Sequence, residues 1–459
     1  MGHNNDTIVA VSTPPGFGAL GIIRLSGSKA IAITNELFSR DLERVESHRV
    51  VFGRIQEPGG RVLDEVVVTV FRAPKSFTRE NVVEISCHGS PYILRAVMDL
   101  LVERGVRPAA AGEFTQRAYL NGAMDLAQAE AVADLIAATS AGAHQLAMDQ
   151  LRGGVSSELK DLREELLNFT SLIELELDFG EEDVEFADRS QLNELIGRLA
   201  KRLDALIDSF RLGNALKQGV PTVILGKPNA GKSTLLNALL NDNRAIVSDI
   251  PGTTRDVIED RIVIDGVEFR LMDTAGVRDT TDLIEAEGVG RSLALARKAQ
   301  VLLYVFDVTQ ESPQQARDYL LSLNLLPQTA ILLLANKVDL LSQAPAAPDD
   351  LPPAWQWLGI SAQAKQNLDP MKQWMVETIT TRPAEVGDQA IISNVRHLNA
   401  LKRARSALSE VEQGMSFGVS GDLLAIDIRT VLHQIGEITG EISTEEVLGN
   451  IFAKFCIGK

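Results

Sequence analysis

A glycine-rich loop carries the clearest chemical signal in this sequence. Residues 226–233 read GKPNAGKS and stand directly between the strand-like TVIL and the helix-like TLLNALL. In that context the Gly-x4-Gly-Lys-Ser/Thr pattern predicts a loop whose backbone N–H groups surround phosphates. Lys232 would reach the β- and γ-phosphate oxygens, and Ser233 could ligate Mg²⁺. A glycine-rich structural turn is the alternative, and the strand before the loop and the helix after it disfavour that interpretation.

The next motif, DTAG, suggests hydrolysis of the bound phosphate. Asp273 ends the strand-like EFRLM, where it could hold the water shell of Mg²⁺, and the Gly276 amide is available to the γ-phosphate. In Ras-like enzymes a glutamine after this motif orients the attacking water, but Val277 here cannot hydrogen-bond. The nearby downstream carboxylates are Glu285 and Glu287. From the residues alone, a role in orienting the water and an ordinary place on the surface are equally good explanations of either acid.

A third motif predicts which base the site would accept. Residues 336–339 read NKVD and follow another buried strand-like run. The Asp339 carboxylate could accept hydrogen bonds from both N1–H and the amino group of guanine, whereas adenine would leave it unpaired. Ser361 and Ala362 in GISAQ fit a backbone contact to the base. These elements, in this order, predict a GTPase.

The C-terminal FCIGK carries one of only two cysteines, in a part of the chain that is usually expendable. As a prenylation box it is poorly filled, because glycine stands where an aliphatic residue belongs and lysine occupies the last position. Cys456 is therefore either a small apolar residue that packs a terminal helix or a thiol carried into an active site. The local sequence leaves both alternatives open.

The composition predicts a soluble, cytoplasmic protein. Its 459 residues suggest about three domains, and 45% hydrophobic content suffices for their cores. Two cysteines cannot build a disulfide framework and indicate reduced thiols. No stretch approaches the ~18 uninterrupted apolar residues of a membrane span, so no membrane partner is expected.

The charge balance limits direct contact with nucleic acid. The chain has 45 basic and 62 acidic residues, a formal charge of −17, and is repelled overall by phosphates. Contact with RNA must therefore be local or made by a partner. The basic cluster in residues 395–405 is the best local candidate, although a solvated helix face is the favoured interpretation.

Changes in amino-acid composition and hydrophobic pattern divide the chain into four segments. Residues 1–120 mix β-branched runs with one helical stretch, and residues 121–218 have the composition of long helices. Residues 219–380 contain buried strand-like runs and an Asp265-Gly266 turn, and residues 381–459 are again helical. The predicted fold class is multidomain α/β and α: a small α+β N-terminal domain, an all-α helical domain and an inserted Ras-like P-loop GTPase domain.

Taken together, the motifs resemble the MnmE (TrmE) family of tRNA-modification GTPases. The chain carries GKPNAGKST, DIPGTTRD, DTAG, NKVD and FCIGK, with TPPGFGALGIIRLSG near the start and GEFTQRAYLNG at 112–122. The GTPase motifs fit many relatives, whereas the N-terminal signatures and the cysteine tail are specific, and the resemblance covers essentially the whole chain. It implies a homodimer joined through N-terminal domains. It also implies a flavin-binding partner, MnmG (GidA), that helps install an aminomethyl or carboxymethylaminomethyl group on the wobble uridine of tRNA.

For the nucleotide site, the resemblance implies GTP, Mg²⁺ and K⁺, with GTPase domains that dimerise and K⁺ in place of an arginine finger. Glu285 matches the family's catalytic glutamate and is preferred to Glu287. The implied K⁺ ligands are Asn229, Ser248, Ile250 and Thr253, and the implied Mg²⁺ ligands are Ser233 and Thr254. The nucleotide and switch positions carried over are Gly226, Asn229, Ala230, Gly231, Lys232, Ser233, Thr234, Ser248, Asp249, Ile250, Pro251, Gly252, Thr253, Thr254, Asp273, Thr274, Ala275, Gly276, Asn336, Lys337, Asp339, Ser361 and Ala362.

For the N-terminal domain, the resemblance implies a tetrahydrofolate derivative, 5-formyl- or methylene-tetrahydrofolate, as one-carbon donor. Arg24, Glu84 and Lys459 match the family's folate contacts. Ala123 stands where the family usually has a lysine, so one charge expected at this pocket is missing. The resemblance also places Cys456 near the pocket, which favours a chemical role for its thiol.

Other functional classes fit the sequence less well. A regulatory RNA- or ribosome-assembly GTPase usually carries an RNA-binding module such as a KH domain, and a membrane-remodelling GTPase a basic or apolar anchor. The sequence has no recognisable signal for these features. Cys87 matches no family motif, and we expect it to pack within a strand.

Overall fold

The strands and helices follow the changes in composition and hydrophobic pattern along the sequence. The computed structural model describes residues 6–178, 189–243, 260–272, 294–323, 325–327, 329–343, 345–380, 390–417, 419 and 421–458. The strands are Ile8–Val11 (β1), Leu20–Ser26 (β2), Arg49–Gln56 (β3), Val62–Phe71 (β4), Val82–His88 (β5), Arg107–Pro108 (β6), Val220–Leu225 (β7), Asp260–Ile264 (β8), Val267–Met272 (β9), Val301–Asp307 (β10), Ala330–Asn336 (β11) and Trp355–Ile360 (β12). The helices are Ala30–Leu37 (α1), Pro91–Glu103 (α2), Glu113–Leu120 (α3), Leu126–Ala137 (α4), Ala141–Leu151 (α5), Gly154–Asp178 (α6), Arg189–Gln218 (α7), Lys232–Asn243 (α8), Pro313–Ser322 (α9), Leu368–Thr380 (α10), Val395–Ser416 (α11), Gly421–Thr439 (α12) and Glu445–Phe452 (α13).

The first sheet has the strand order β3-β4-β5-β2-β1-β6. It is antiparallel except for the short parallel pair of β1 with β6. Along β2, Ile23 and Leu25 are buried in the core, whereas Arg24 points to the opposite face because successive side chains alternate. Arg24 is directly opposite Glu84 of β5 in the ladder. The register of two strands thus pairs two predicted site residues.

The second sheet has the order β12-β11-β10-β7-β9-β8, with β8 antiparallel to β9 and the other pairs parallel. Every residue of β10 is buried, and hydrophobic clusters cover both faces of the sheet. The prediction of a sheet covered on both faces is confirmed. Asp265 (φ 47°) and Gly266 (φ 81°) form the predicted turn between β8 and β9.

The chain separates into two compact units. One comprises residues 1–133, 151–163 and 432–459 and holds the first sheet, and the other comprises residues 134–150 and 164–431 and holds the second. The predicted fold class is confirmed, with an α+β portion, long helices and an α/β P-loop portion. The predicted domain boundaries at 120, 218 and 380 are not tested by this division and stay predictions.

Some predicted features fall outside the described ranges. These are Ser248, Asp249, Ile250, Pro251, Gly252, Thr253, Thr254, Asp273, Thr274, Ala275, Gly276, Glu285 and Lys459. Among the helices in the described part of the chain, none is long and apolar enough to cross a membrane.

Candidate functional site

The phosphate-binding loop connects β7 to α8 and depends on two glycines. Gly226 has φ +153°, and a Cβ there would lie 2.0 Å from the Val305 carbonyl oxygen. Gly231 has φ +99°, and a Cβ there would lie 2.0 Å from Nδ2 of Asn336. Asn229 also adopts a left-handed conformation, with φ 61°. The close approach of strand β10 and of Asn336 therefore explains why the motif needs glycine at both positions.

Lys232 is folded back over this loop. Its Nζ donates to the carbonyl oxygens of Gly226 and Lys227, both at 2.8 Å. Burial lowers the pKa of the Lys232 ammonium from its ordinary value. Ser233 and Thr234 follow in the first turn of α8, half-buried and exposed respectively. The ammonium thus lies at the mouth of the loop where the motif predicts the phosphates.

Asn336 joins the three predicted parts of the nucleotide site. Its Nδ2 donates to the Ala230 carbonyl oxygen at 2.7 Å, and its Oδ1 accepts from the Ala362 amide at 3.0 Å. The side chain is buried, so both bonds form away from water. Ser361 in turn accepts at Oγ from the Ala364 amide. One amide group therefore holds the phosphate loop beside the Ser361-Ala362 segment, because parallel strands β7, β11 and β12 end at the same edge of the sheet.

The base-recognition segment, residues 336–339 (NKVD), is held by an acid that the motifs did not identify. Lys337 has φ +70°, and its Nζ lies 2.6 Å from Oδ2 of Asp307, the last residue of β10. Burial would raise the pKa of Asp307, but hydrogen bonds from Lys337 and Thr309 hold it below its ordinary value. Asp339 follows in a short 3-10 turn and is exposed. A charged residue ending the apolar run VLLYVF was the signal available for Asp307.

Arg24 and Glu84 form the centre of the second candidate site. Nε and Nη2 of Arg24 lie 2.8 and 2.7 Å from Oε1 of Glu84. The guanidinium also lies 5.9 Å from the ring centre of Phe77 and 5.8 Å from that of Phe114. Phe114 is fully buried, whereas Phe77 is partly exposed, so the ion pair and the Phe77 ring can together bind a flat, polar heterocycle through hydrogen bonds and a ring contact.

The C-terminal tail packs beside this ion pair. The Gly458 carbonyl oxygen accepts from Ser12 Oγ at 3.3 Å and from Arg24 Nη1 at 3.5 Å. Ile457 forms an isolated antiparallel β-bridge with Ala111, and the Gly112 amide donates to the Cys456 carbonyl oxygen at 3.4 Å. The tail is thus an ordered part of the N-terminal unit, and it brings Cys456 within two residues of a direct contact with Arg24.

The two cysteines have different environments. Cys456 is exposed, whereas Cys87 is buried in the core of the first sheet and donates from Sγ to the Gly21 carbonyl at 3.4 Å. Burial, together with the nearby charge of Asp64, raises the pKa of Cys87 to about 11. The prediction that Cys87 packs within a strand is confirmed.

Ala123 lines an open groove of about 550 Å³ together with Phe77, Lys75 and Arg79. Arg79, with φ 58°, donates from Nη1 to the Asn121 carbonyl at 3.1 Å. The guanidinium therefore lies beside the segment in which the resemblance expects a lysine. Sequence alone could not identify Arg79, because it is 44 positions away along the chain and only the fold brings it to Ala123.

A charge network supports the start of helix α3, which begins the signature GEFTQRAYLNG. Glu113 is buried, and its carboxylate binds the guanidinium groups of Arg107 and Arg117 and the Ala110 amide. Asp6 lies 2.7 Å from Arg107 and 2.6 Å from Arg117. Burial would raise the pKa of Glu113, but the two arginines and the amide hold it below its ordinary value. The network fixes α3 against β1 and β6.

Comparisons with known proteins agree over both units. The family model for the N-terminus of the GTP-binding protein TrmE matches residues 7–123, and that for the MnmE helical domain matches residues 126–456. A protein of Cytophaga hutchinsonii is 51% identical over 462 aligned residues, covering 100% of this chain and 98% of the relative. Proteins of Christiangramia forsetii and Flavobacterium johnsoniae are 49% and 47% identical, with 99% of this chain covered in each case and 99% and 100% of the relatives. All three are named tRNA modification GTPase MnmE.

A solved structure of Era from Aquifex aeolicus, bound to GDP and AlF4−, has 24% sequence identity and a TM-score of 0.26 and covers 40% of this chain and 65% of its own. That likeness is too partial to carry the assignment. The family models and the full-length relatives carry it instead: the chain belongs to the MnmE family of tRNA modification GTPases.

Proposed function

We propose that this GTPase acts on tRNA and, with a flavin-binding MnmG (GidA) partner, installs an aminomethyl or carboxymethylaminomethyl group at C5 of the wobble uridine. The observation that carries the proposal is the ordered tail, whose Gly458 carbonyl contacts Arg24 beside the Glu84 carboxylate. A GTPase that only switched between two partners would not need a cysteine presented at a second polar site. GTP hydrolysis would drive a conformational cycle that is coupled to the chemistry at this second site.

The nucleotide site fits GTP with Mg²⁺ and K⁺. Lys232 and the loop amides suit the phosphates, and the Asp339 carboxylate suits the two donors of guanine. Ser233 would hold Mg²⁺ and Asn229 would hold K⁺, since hydroxyl and amide oxygens are suitable ligands for such hard cations. The remaining proposed ligands lie outside the described residues. When bound, the cations would neutralise charge that develops on the γ-phosphate, and Glu285 would orient the attacking water.

The N-terminal site fits a tetrahydrofolate derivative as one-carbon donor. The Arg24–Glu84 pair offers both donors and acceptors, and Phe77, which is 37% exposed, offers an aromatic ring. The adjoining groove carries the cations Lys75 and Arg79, which suit the carboxylates of a folate tail. Arg79 would compensate for Ala123, because its guanidinium binds the backbone of the same segment.

Cys456 is the proposed nucleophile of this site. Its side chain is exposed, and the backbone around it is fixed by the bonds of Gly112 and Gly458. A thiol that only filled a gap under α13 would be buried instead. The exposed position therefore favours the chemical alternative over the packing one.

The proposal can be tested by mass spectrometry of wobble nucleosides in tRNA from cells that lack the protein. We expect the null strain to lose the aminomethyl-type uridines and the wild-type chain to restore them. Cys456→Ser should not restore them, whereas Ile457→Ser, at a neighbouring exposed position that keeps the thiol, should do so. Unchanged tRNA in the null strain would refute the modification function and favour a regulatory GTPase. Rescue by Cys456→Ser would make the cysteine structural.

A further inference from the structure

The loop between β10 and α9 connects to both halves of the nucleotide site. This acidic loop comprises residues 307–311, DVTQE, and lies outside the recognised GTPase motifs. It is folded as a tight turn, in which the amides of Gln310 and Glu311 donate to the Asp307 carbonyl at 3.0 and 2.9 Å. The next residue, Ser312, caps helix α9 through a capping box with Gln315. The loop is therefore rigid at both ends.

One end of the acidic loop holds the base-recognition segment. Asp307 is buried and accepts from Thr309 on one carboxylate oxygen and from Lys337 on the other. The Val308 amide also donates to the Asn336 carbonyl at 3.2 Å. Lys337 keeps a left-handed conformation that a non-glycine residue ordinarily avoids. The ion pair with Asp307 holds it in that conformation, and Asp339 follows two residues later.

The other end holds the phosphate-binding loop. The Glu311 side chain is 3% exposed, and its Oε1 lies 2.9 Å from Nζ of Lys227. A buried carboxylate without a cation is costly, so this pair strongly favours one position for Lys227. The Lys227 carbonyl in turn accepts from Nζ of Lys232, which belongs to the phosphate site. Glu311 thus acts on Lys232 through a single intervening residue.

We propose that Asp307 and Glu311 are positioning residues that set the spacing between the phosphate-binding loop and the base-recognition segment. Glu311 positions the phosphate loop through Lys227, and Asp307 positions Asp339 through Lys337. The two acids have separable effects, because one acts on contacts common to all nucleotides and the other on contacts to the base. This inference rests on the guanine-nucleotide site of the proposed function.

The test is titration of the full-length chain, with Mg²⁺ present, by fluorescent GDP and IDP. IDP lacks the 2-amino group, so the ratio of the two affinities reports the contact to Asp339. Asp307→Asn should weaken GDP binding about tenfold and bring the GDP-to-IDP ratio close to one, because a charged hydrogen bond is lost beside the base segment. Glu311→Gln should weaken the binding of GDP and of IDP by the same factor, about threefold to tenfold, and leave the ratio of the two affinities unchanged.

Four further variants separate positioning from general destabilisation. Lys337→Gln breaks the same ion pair by changing Lys337, which is more exposed than Asp307. It should also lower the GDP-to-IDP ratio. The double variant Lys227→Met with Glu311→Gln should bind GDP no more weakly than Lys227→Met alone, since Lys227 and Glu311 act through one ion pair. Asp318→Asn, at an exposed acid on the adjoining helix α9, should change no affinity.

Several results would overturn the inference. Unchanged GDP affinity in both acid variants, with only the melting temperature lowered, would make the loop a purely structural turn. An unchanged GDP-to-IDP ratio in Asp307→Asn and Lys337→Gln would remove the role assigned to Asp307. Failure of the unsubstituted chain to bind GDP would instead refute the nucleotide site on which the inference rests.

Discussion

Gly231 shows how little space the nucleotide site allows at the scale of a single residue. A methyl group there would occupy the position of the Asn336 amide nitrogen and break its bond to the Ala230 carbonyl. Gly231→Ala should therefore weaken GDP binding about tenfold or more, measured by fluorescence titration. The matched control is Gly197→Ala on helix α7, where a Cβ meets open space and alanine is the better helix former. Equal GDP affinity in the two variants would contradict the bridging role of Asn336.

The two thiols should differ sharply in reactivity. With a pKa of about 11, Cys87 is ionised in only about one molecule in a thousand at pH 8, and it is also buried. Titration of the native chain with a thiol reagent should detect one fast-reacting thiol, and titration in denaturant should detect two. Cys456→Ser should remove the fast thiol. A fast thiol that persists in that variant would show that the tail is not the accessible site.

Residue types and spacing predict a nucleotide site from local motifs, but they do not reveal the residues that support it. Lys232, Asn336 and Asp339 belong to contiguous motifs whose chemistry is local. Asp307 acts through Lys337, which is distant in sequence, and only the register of β10 with β11 brings it to the nucleotide site. Arg79 likewise reaches Ala123 at the second candidate site only through the fold. No local pattern can identify such pairs.

At the scale of the element, the charge network at α3 predicts a pH-dependent stability of the N-terminal unit. The folded-state pKa of Glu113 lies below the ordinary value of 4.5, and that of Asp6 lies below 3.8. Their stabilising effect is therefore fully present above about pH 4.5 and is lost as the pH falls through the folded-state values. Thermal unfolding followed from about pH 6 to about pH 3 should show this loss.

Glu113→Gln isolates the contribution of the network. The variant should be less stable at neutral pH by about 1–3 kcal/mol, because two arginines lose a charged partner, and its stability should fall less steeply with acid. Glu65→Gln, which removes an exposed ion pair with Arg54, should have the wild-type pH profile. An unaltered acid slope in Glu113→Gln would mean that the network does not link protonation to folding.

Elements with strong periodicity follow from the local sequence, whereas the docking of the tail does not. The buried runs of β10 and β11 and the turn at Asp265-Gly266 are determined locally by hydrophobicity and turn chemistry. The position of Cys456 depends instead on contacts with Ser12, Arg24 and Gly112, more than 300 residues earlier in the chain. Motifs could place that cysteine near the ion pair only through a family resemblance.

At the scale of the whole molecule, the proposed function joins two sites in different compact units of one chain. The nucleotide site lies in residues 164–431, whereas the Arg24–Glu84 pair and the tail lie in the other unit. Under the proposed function, the effect of GTP hydrolysis would reach the second site through a conformational change. The dependence of GTP hydrolysis on K⁺ is the most direct test of which cation completes the nucleotide site.

Replacement of K⁺ by Na⁺ at equal ionic strength should slow GTP hydrolysis about tenfold or more. The physical reason is that charge developing on the γ-phosphate needs a well-placed cation, and no arginine finger is assigned in this chain. The measurement is steady-state phosphate release from the full-length chain in each salt. Asn229→Ala should reduce the rate in K⁺ to the rate in Na⁺, because it removes the proposed ligand within the described loop, whereas Asp369→Asn, an exposed acid on α10, should keep the full difference. Equal rates in the two salts for the unsubstituted chain would exclude K⁺ from the site and require the positive charge to come from a side chain.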